Sequence, residues 1–357
     1  MWLYSPVMMC CRMQTSGMMM FASRPPPDAD SAVRSTDSDA AQARLSAVRK
    51  GYLADPYVNL LVPRSHLVPA RPPLINIGTY VRSEALDALV EGWLEAGDGV
   101  KQVVSLGAGS DTRFWRIMAG PLKDRVSQYV ELDFPEITTH KAQAIRKHKE
   151  LHSILGPDVK LEKGGTALIS PQYSLLPVDL RIAPSESLAP LLDSLSPHIP
   201  TLFLAECVLV YMPPSASNAL LQWFSDNFDC VGGICYEMFG LEDRFGQVMR
   251  ENLKARNVSL PGADAYPTLA SHTARFQNHA FAHANALTLK TIRQSYISPA
   301  ELERISRLEM LDEIEELELV LDHYAISWGA KLPPDSEAGD LARVVGDLRG
   351  WGLAAKT

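Results

Sequence analysis

The stretch Gln102-Val103-Val104-Ser105-Leu106-Gly107-Ala108-Gly109-Ser110-Asp111-Thr112 decides the fold. Its first five residues have strand composition, and the run ends in a glycine turn that feeds a helical pattern. Glycines there let backbone approach a ligand closely while the chain turns sharply. Outward from this stretch the same texture repeats. Tyr129-Val130-Glu131-Leu132 is a second short strand, ending in Asp133. Thr201-Leu202-Phe203-Leu204-Ala205 is a third, ending in Glu206, and Gly233-Ile234-Cys235-Tyr236-Glu237-Met238 is a fourth. Helical patterns over 135–151 and 215–228 separate them. Buried apolar strands alternating with helices predict an α/β fold, a doubly wound and mostly parallel sheet.

Such sheets bind ligands beyond the carboxyl ends of their strands. Those positions are Gly107-Ala108-Gly109-Ser110-Asp111, Asp133, the pair Asp179-Leu180, and Glu206. An acid at the end of the second strand accepts hydrogen bonds from ribose hydroxyls, so turn and acid together point to an adenosine group. A dinucleotide needs a small third residue and an open helix N-terminus for its pyrophosphate. Here Thr112 fills that third place and Asp111 adds negative charge. S-adenosyl-L-methionine has no phosphate and carries a cationic sulfonium and ammonium, so it fits better than a nicotinamide dinucleotide.

The flanks read differently. Residues 1–38 are expected to be a disordered tail, through Pro25-Pro26-Pro27 and an Asp/Ser mixture. Residues 1–23 hold seven of the twelve methionines and no acid, a weak resemblance to a mitochondrial presequence. A disordered tail or a misplaced start is the preferred reading. The main domain is expected over 39–331, with an N-terminal helical lid over 39–97. The lid has helical spacing from Ala41 to Leu53, a proline-punctuated stretch from Pro56 to Pro73, and a helix from Tyr80 to Leu94. Further on, the spacing predicts helices over 241–257 and 301–321, strands over 284–289 and 323–329, and a C-terminal tail over 332–357.

With 357 residues and 46% apolar content the chain can bury a sizeable core. A net charge of −8 argues against a nucleic-acid partner. The basic run Arg146-Lys147-His148-Lys149 reads as a solvated helix face. No uncharged apolar run reaches the ~18–20 residues that span a bilayer, so no membrane is expected. Five cysteines, without a paired spacing, favour a reducing compartment, and the cytoplasm is expected. Cys207 has no histidine nearby in sequence and reads as a buried thiol. His272, His279 and His283 lack a third ligand, so no metal is expected.

The chain resembles the leucine carboxyl methyltransferases, which methylate the C-terminal leucine carboxylate of the protein phosphatase 2A catalytic subunit. The likeness runs from about Asp39 to Lys331. It is carried by Gly51-Tyr52-Leu53-Ala54-Asp55-Pro56-Tyr57, Ile75-Asn76-Ile77-Gly78-Thr79-Tyr80-Val81-Arg82, the glycine stretch through Trp115, and Glu131-Leu132-Asp133-Phe134-Pro135. Most specific are Ala205-Glu206-Cys207-Val208-Leu209-Val210-Tyr211-Met212 and Asp243-Arg244-Phe245-Gly246-Gln247.

The resemblance implies a class I methyltransferase-like Rossmann fold and places residues on S-adenosyl-L-methionine. Arg82 matches the arginine on its carboxylate, Gly107 lies under the methionine portion, and Asp133 meets the ribose. Asp179 and Leu180 flank the adenine, Glu206 lines the methionine end, and Arg44 stands where relatives often have lysine. Ile77 replaces a residue that is often basic. Tyr211 is expected to help place the substrate tail. The implied partner is the phosphatase C-terminal tail, with the enzyme a monomer. No general base is expected, because a terminal carboxylate of pKa ~3.3–3.7 is already ionised at neutral pH. Three rivals stay open: a carboxyl methyltransferase of a modified tRNA base, an NAD(P)-dependent oxidoreductase, and a non-catalytic adenosine-ligand scaffold.

Overall fold

The computed structural model describes residues 29–312, 314–334 and 336–356. Five parallel strands form its centre: β1 (Lys101–Leu106), β2 (Val126–Asp133), β5 (Tyr173–Pro177), β6 (Thr201–Glu206) and β7 (Val231–Met238). Outside them, β3 (Lys160–Glu162) and β4 (Ala167–Ile169) make one antiparallel edge. β8 (His283–Thr288) and β9 (Tyr324–Lys331) make the other. The order across the sheet is β3-β4-β5-β2-β1-β6-β7-β9-β8, the doubly wound arrangement expected.

Helices α1 (Ala29–Arg49), α2 (Val58–Leu61) and α3 (Pro73–Glu95) precede the sheet. Next, α4 (Arg113–Met118) follows the glycine turn, α5 (Pro135–Lys147) and α6 (Lys149–His152) follow β2, and α7 (Pro184–Ser187) and α8 (Pro214–Asn227) flank β6. Between β7 and β8 lie α9 (Arg244–Ala255), α10 (Pro261–Ala265) and α11 (Leu269–Gln277). α12 (Leu289–Ser295), α13 (Pro299–Ser306) and α14 (Ile314–Asp322) lead into β9, and α15 (Ala342–Leu348) follows it.

Successive strand residues point to opposite faces, and both faces are covered. Val103, Tyr129, Leu202 and Ile234 pack into a cluster with Leu89, Val90 and Trp93 of α3. Val104, Val130, Phe203 and Cys235 pack into another with Leu220, Leu221 and Phe224 of α8. Burying each such large side chain contributes ~1.5–3 kcal/mol, so the strands carrying the site are fixed from both sides.

Several expectations need correction. Residues 29–38 are not a disordered tail but the first half of α1. Ala32 is buried in the core, and Asp30, Asp37 and Asp39 each bond to distant residues. Tertiary contacts hold this helix, and a polar composition conceals them. Residues 1–28, with the presequence question, Cys10 and Cys11, lie outside the described residues. The C-terminal tail is also structured: α15 packs down, and Trp351 stands edge-on to Trp93 at 5.0 Å and donates Nε1–H to the Leu89 carbonyl. The single helix expected over 301–321 is two, because Glu309 turns away to Asn76 and Lys50. Likewise the helix over 135–151 breaks at His148, which adopts an extended conformation. α3 begins at Pro73, earlier than expected, with proline in the first turn, where its missing N–H costs nothing. Arg146, Lys147 and Lys149 are exposed. Among the described residues, no helix is long and apolar enough to cross a membrane.

Candidate active site

From β1 the chain crosses to β2 on one side, and from β6 to β7 on the other. β1 and β6 are neighbours, Leu106 opposite Ala205, so Gly107 and Glu206 open side by side at the switch point. A cavity of about 830 Å³ begins there. Arg44, Arg82, Gly107, Asp133, Asp179, Leu180, Glu206 and Tyr211 all line it, although they come from six separate parts of the sequence. Gly107 and Gly109 have φ of 59° and 50°. A Cβ on Gly107 would stand 2.5 Å from Val208 Cγ2, and one on Gly109 2.5 Å from Asp37 Oδ1. Both positions therefore require glycine on grounds of conformation and space.

Carboxylates occupy three backbone donors in and just after this loop, while the N–H groups of Ala108 and Asp111 donate to the carbonyls of Leu132 and Ala108. Gly109 N–H donates to Asp133 Oδ2 at 2.8 Å, Ser110 N–H to Asp37 Oδ1 at 2.6 Å, and Arg113 N–H to Asp111 Oδ1 at 2.9 Å. Asp133 also accepts from Phe134 N–H, and Asp37 from the Ser110 hydroxyl. Burial pushes Asp133 up to about 6 despite its two amide donors, and the Asp37 charge adds to the shift. Burial likewise raises Asp37. A pyrophosphate would need these same N–H groups and would meet three carboxylates. The loop suits a phosphate-free ligand.

Deeper in, charges alternate. Arg82 lies over the Tyr236 ring at 4.5 Å and donates from Nε and Nη2 to Glu206 Oε2, at 2.9 and 2.5 Å. Arg113 takes Glu206 Oε1 at 2.9 Å, Asp111 at 2.6 Å and Asp87 at 3.0 Å. Burial, the largest single influence, would raise Glu206 and Asp111. The cations together outweigh it and hold both below the usual range: Arg113 with Arg82 at Glu206, and Arg113 with Lys141, Arg116 and Arg44 at Asp111. Arg44 donates to Asp55 at 2.6 Å and to the Ser83 hydroxyl at 3.0 Å. Asp55 also accepts from Thr112 Oγ1 at 2.5 Å. Arg44 thus lines the cavity while its charge is tied to Asp55.

α1 lies across the opening. Asp30 pairs with Arg181, which also holds Asp179; Asp39 pairs with Arg256, the residue that ends α9; and Thr36 bonds to Tyr211. Asp37 and Arg113 line the cavity and Asp55 supports its wall from behind Arg44, three roles that the sequence did not single out. Arg113 sits inside a quoted motif, but nothing in spacing says that it meets Glu206. Asp37 fell in the stretch expected to be disordered. Ile77 is buried in the core and does not line the cavity. Cys207 does line it, partly buried, with φ of 56° and its N–H donating to the Tyr236 carbonyl at 2.7 Å. His272 is buried, and among the described residues no group of three or more candidate ligands could hold a metal ion.

The family model for leucine carboxyl methyltransferase matches residues 32–225, more than half of the chain. Leucine carboxyl methyltransferase 1 of Cryptococcus neoformans var. neoformans serotype D is 47% identical over 343 residues, 86% of this chain and 96% of the relative. The Bos taurus protein of the same name is 36% identical, covering 87% of this chain and 92% of its own. The Arabidopsis thaliana homolog is also 36% identical, over 83% and 88%.

Proposed function

We propose that this chain, which belongs to the leucine carboxyl methyltransferase family, transfers a methyl group from S-adenosyl-L-methionine to the α-carboxylate of the C-terminal leucine of the protein phosphatase 2A catalytic subunit, acting as a cytoplasmic monomer. The observation that carries the cofactor is the glycine loop whose N–H groups are held by Asp133, Asp37 and Asp111. That donor set rejects a pyrophosphate and accepts a cationic, phosphate-free nucleoside. The family's name carries the acceptor.

In this reading Arg82 grips the methionine carboxylate, Glu206 faces the ammonium, and Gly107 lets the methionine portion lie against backbone. Asp133 accepts from the ribose hydroxyls, Asp179 and Leu180 flank the adenine, and Arg44 shapes the wall through Asp55. When bound, the cofactor supplies an electrophilic methyl group on a cationic sulfur. The chain's residues have no proton to move, since the acceptor carboxylate is ionised at neutral pH. Their work is positioning, with Tyr211 placing the acceptor tail, and exclusion of water. Opposite charges are dispersed in this transition state, and hydration would favour the separated ions. α1, with the helices up to residue 97, acts as the lid that keeps water out.

Titration calorimetry with S-adenosylmethionine and, separately, with NAD(H) and NADP(H) tests the cofactor. Binding of the first alone is expected. Binding of a dinucleotide in its place would return the chain to the oxidoreductase reading.

A further inference from the structure

Glu206 is shared. Its Oε2 is held by Arg82 and its Oε1 by Arg113, from opposite sides. Arg113 is only 3% exposed and binds three carboxylates, Glu206, Asp111 and Asp87, with Nη2, Nη1 and Nε respectively. The Nη1 side of Arg82 takes no part in its bond to Glu206. An anionic ligand group reaching Arg82 would compete with Glu206 for that guanidinium. Without a second cation Glu206 would either keep Arg82 engaged or be left partly buried with its charge unpaired, an unfavourable state.

We propose that Arg113 is a positioning residue for the cofactor pocket: it fixes and neutralises Glu206 from behind, so that Arg82 is available to an incoming carboxylate. This rests on the proposed function, because the carboxylate is the cofactor's. Arg113 itself touches no reacting atom. Its effect on the cofactor passes through Glu206, and the other charged or titratable neighbours of Glu206 and of Asp111, which Arg113 also holds, come from several packed elements. Arg82 and Asp87 stand on α3, Arg116 on α4, Lys141 on α5, Arg44 on α1, Tyr129 and Glu131 on β2, Tyr173 on β5, and Tyr236 and Cys207 beside Glu206. Removing Arg113 leaves one cation, Arg82, in direct contact with Glu206. Both carboxyls then take up protons at higher pH, and Glu206 loses the charge that faces the cofactor's cationic end.

The test is cofactor affinity by calorimetry from pH 5.5 to 8.5 for the wild type, Arg113→Met, Arg113→Lys and Glu206→Gln, with a thermal midpoint for each. Arg113→Met keeps the volume and removes the charge. It should weaken binding at least tenfold at pH 7.5, with the loss growing as pH falls. Arg113→Lys should restore the wild-type pH dependence while recovering affinity only in part. In the Glu206→Gln background Arg113→Met should cost less than threefold. A loss of equal size at every pH, or one undiminished in the Glu206→Gln background, would reduce Arg113 to a packing residue and overturn the proposal. Should Arg113→Met not fold, a wild-type affinity and pH profile in Glu206→Gln would overturn it equally. A wild type that binds no S-adenosylmethionine at all would instead bring down the proposed function, and this inference with it.

Discussion

In the proposed site Arg82 and Asp133 would make different demands on the ligand, and each can be tested alone. Arg82 is partly buried, stacked on Tyr236 and bonded to Glu206, so its charge is oriented before any ligand arrives. Loss of a charged hydrogen bond costs ~1.5–3 kcal/mol. Arg82→Ala should therefore weaken S-adenosylmethionine binding by about 10- to 150-fold, read by calorimetry; unaltered affinity would remove it from the site. Asp133 carries a pH signature. Its folded value is about 6 against an ordinary 3.8, so the folded state prefers the protonated form. The stability this provides is full below 3.8 and lost as pH rises through about 6. Asp133→Asn should then gain thermal stability relative to the wild type as pH rises through 6, by at most ~3 kcal/mol, and less because one amide bond is given up. Ribose hydroxyls need the ionised form as acceptor, so wild-type affinity should fall as pH drops below about 6. The Asn variant should bind weakly with little pH dependence. A wild-type affinity flat across this range would contradict the ribose assignment.

At the scale of elements, the two chain ends that looked like tails both work in the fold. The first half of α1 covers the cavity through Asp30, Thr36, Asp37 and Asp39, while Ala41, Ala43, Leu45 and Ala47 in its second half pack into the interior. Exposed ion pairs of the Asp30–Arg181 kind contribute only ~0–1 kcal/mol each. Removing residues 1–40 should thus change thermal stability modestly and cofactor retention strongly. Unchanged affinity and turnover would sink the lid. At the other end Trp351 joins α3 by ring and hydrogen bond. Trp351→Ala should destabilise by about 2–3 kcal/mol, less than the ~3–5 of a fully buried tryptophan, as measured by denaturant melting. Why these ends went unread is physical. β1, β2, β6 and β7 are buried on both faces and show as apolar runs, so their ends, and with them Gly107, Asp133 and Glu206, were legible. The Asp30–Arg181 and Arg113–Glu206 contacts join residues distant in sequence and leave no period. The edge strands β3 and β4 are three residues each, too short for a pattern, and β5 ends in a proline. The break between α13 and α14 was hidden because leucine spacing runs on through the residues that interrupt it.

The whole molecule combines a rigid base with a covered opening. A sheet packed on both faces fixes Gly107, Asp133 and Glu206, and α3 brings Arg82 to them from outside the sheet. α1 and the C-terminal end of α9 meet at the cavity through Asp39 and the capping residue Arg256. Such an arrangement suits transfer to a chain end, which can enter a covered pocket without the rest of the partner doing so. Incubation with methyl-labelled S-adenosylmethionine and the protein phosphatase 2A catalytic subunit, with and without its terminal leucine, tests this most directly. The account predicts alkali-labile label on the intact subunit and none on the subunit lacking that leucine. Label that resists alkali, or that appears equally on both, would contradict it.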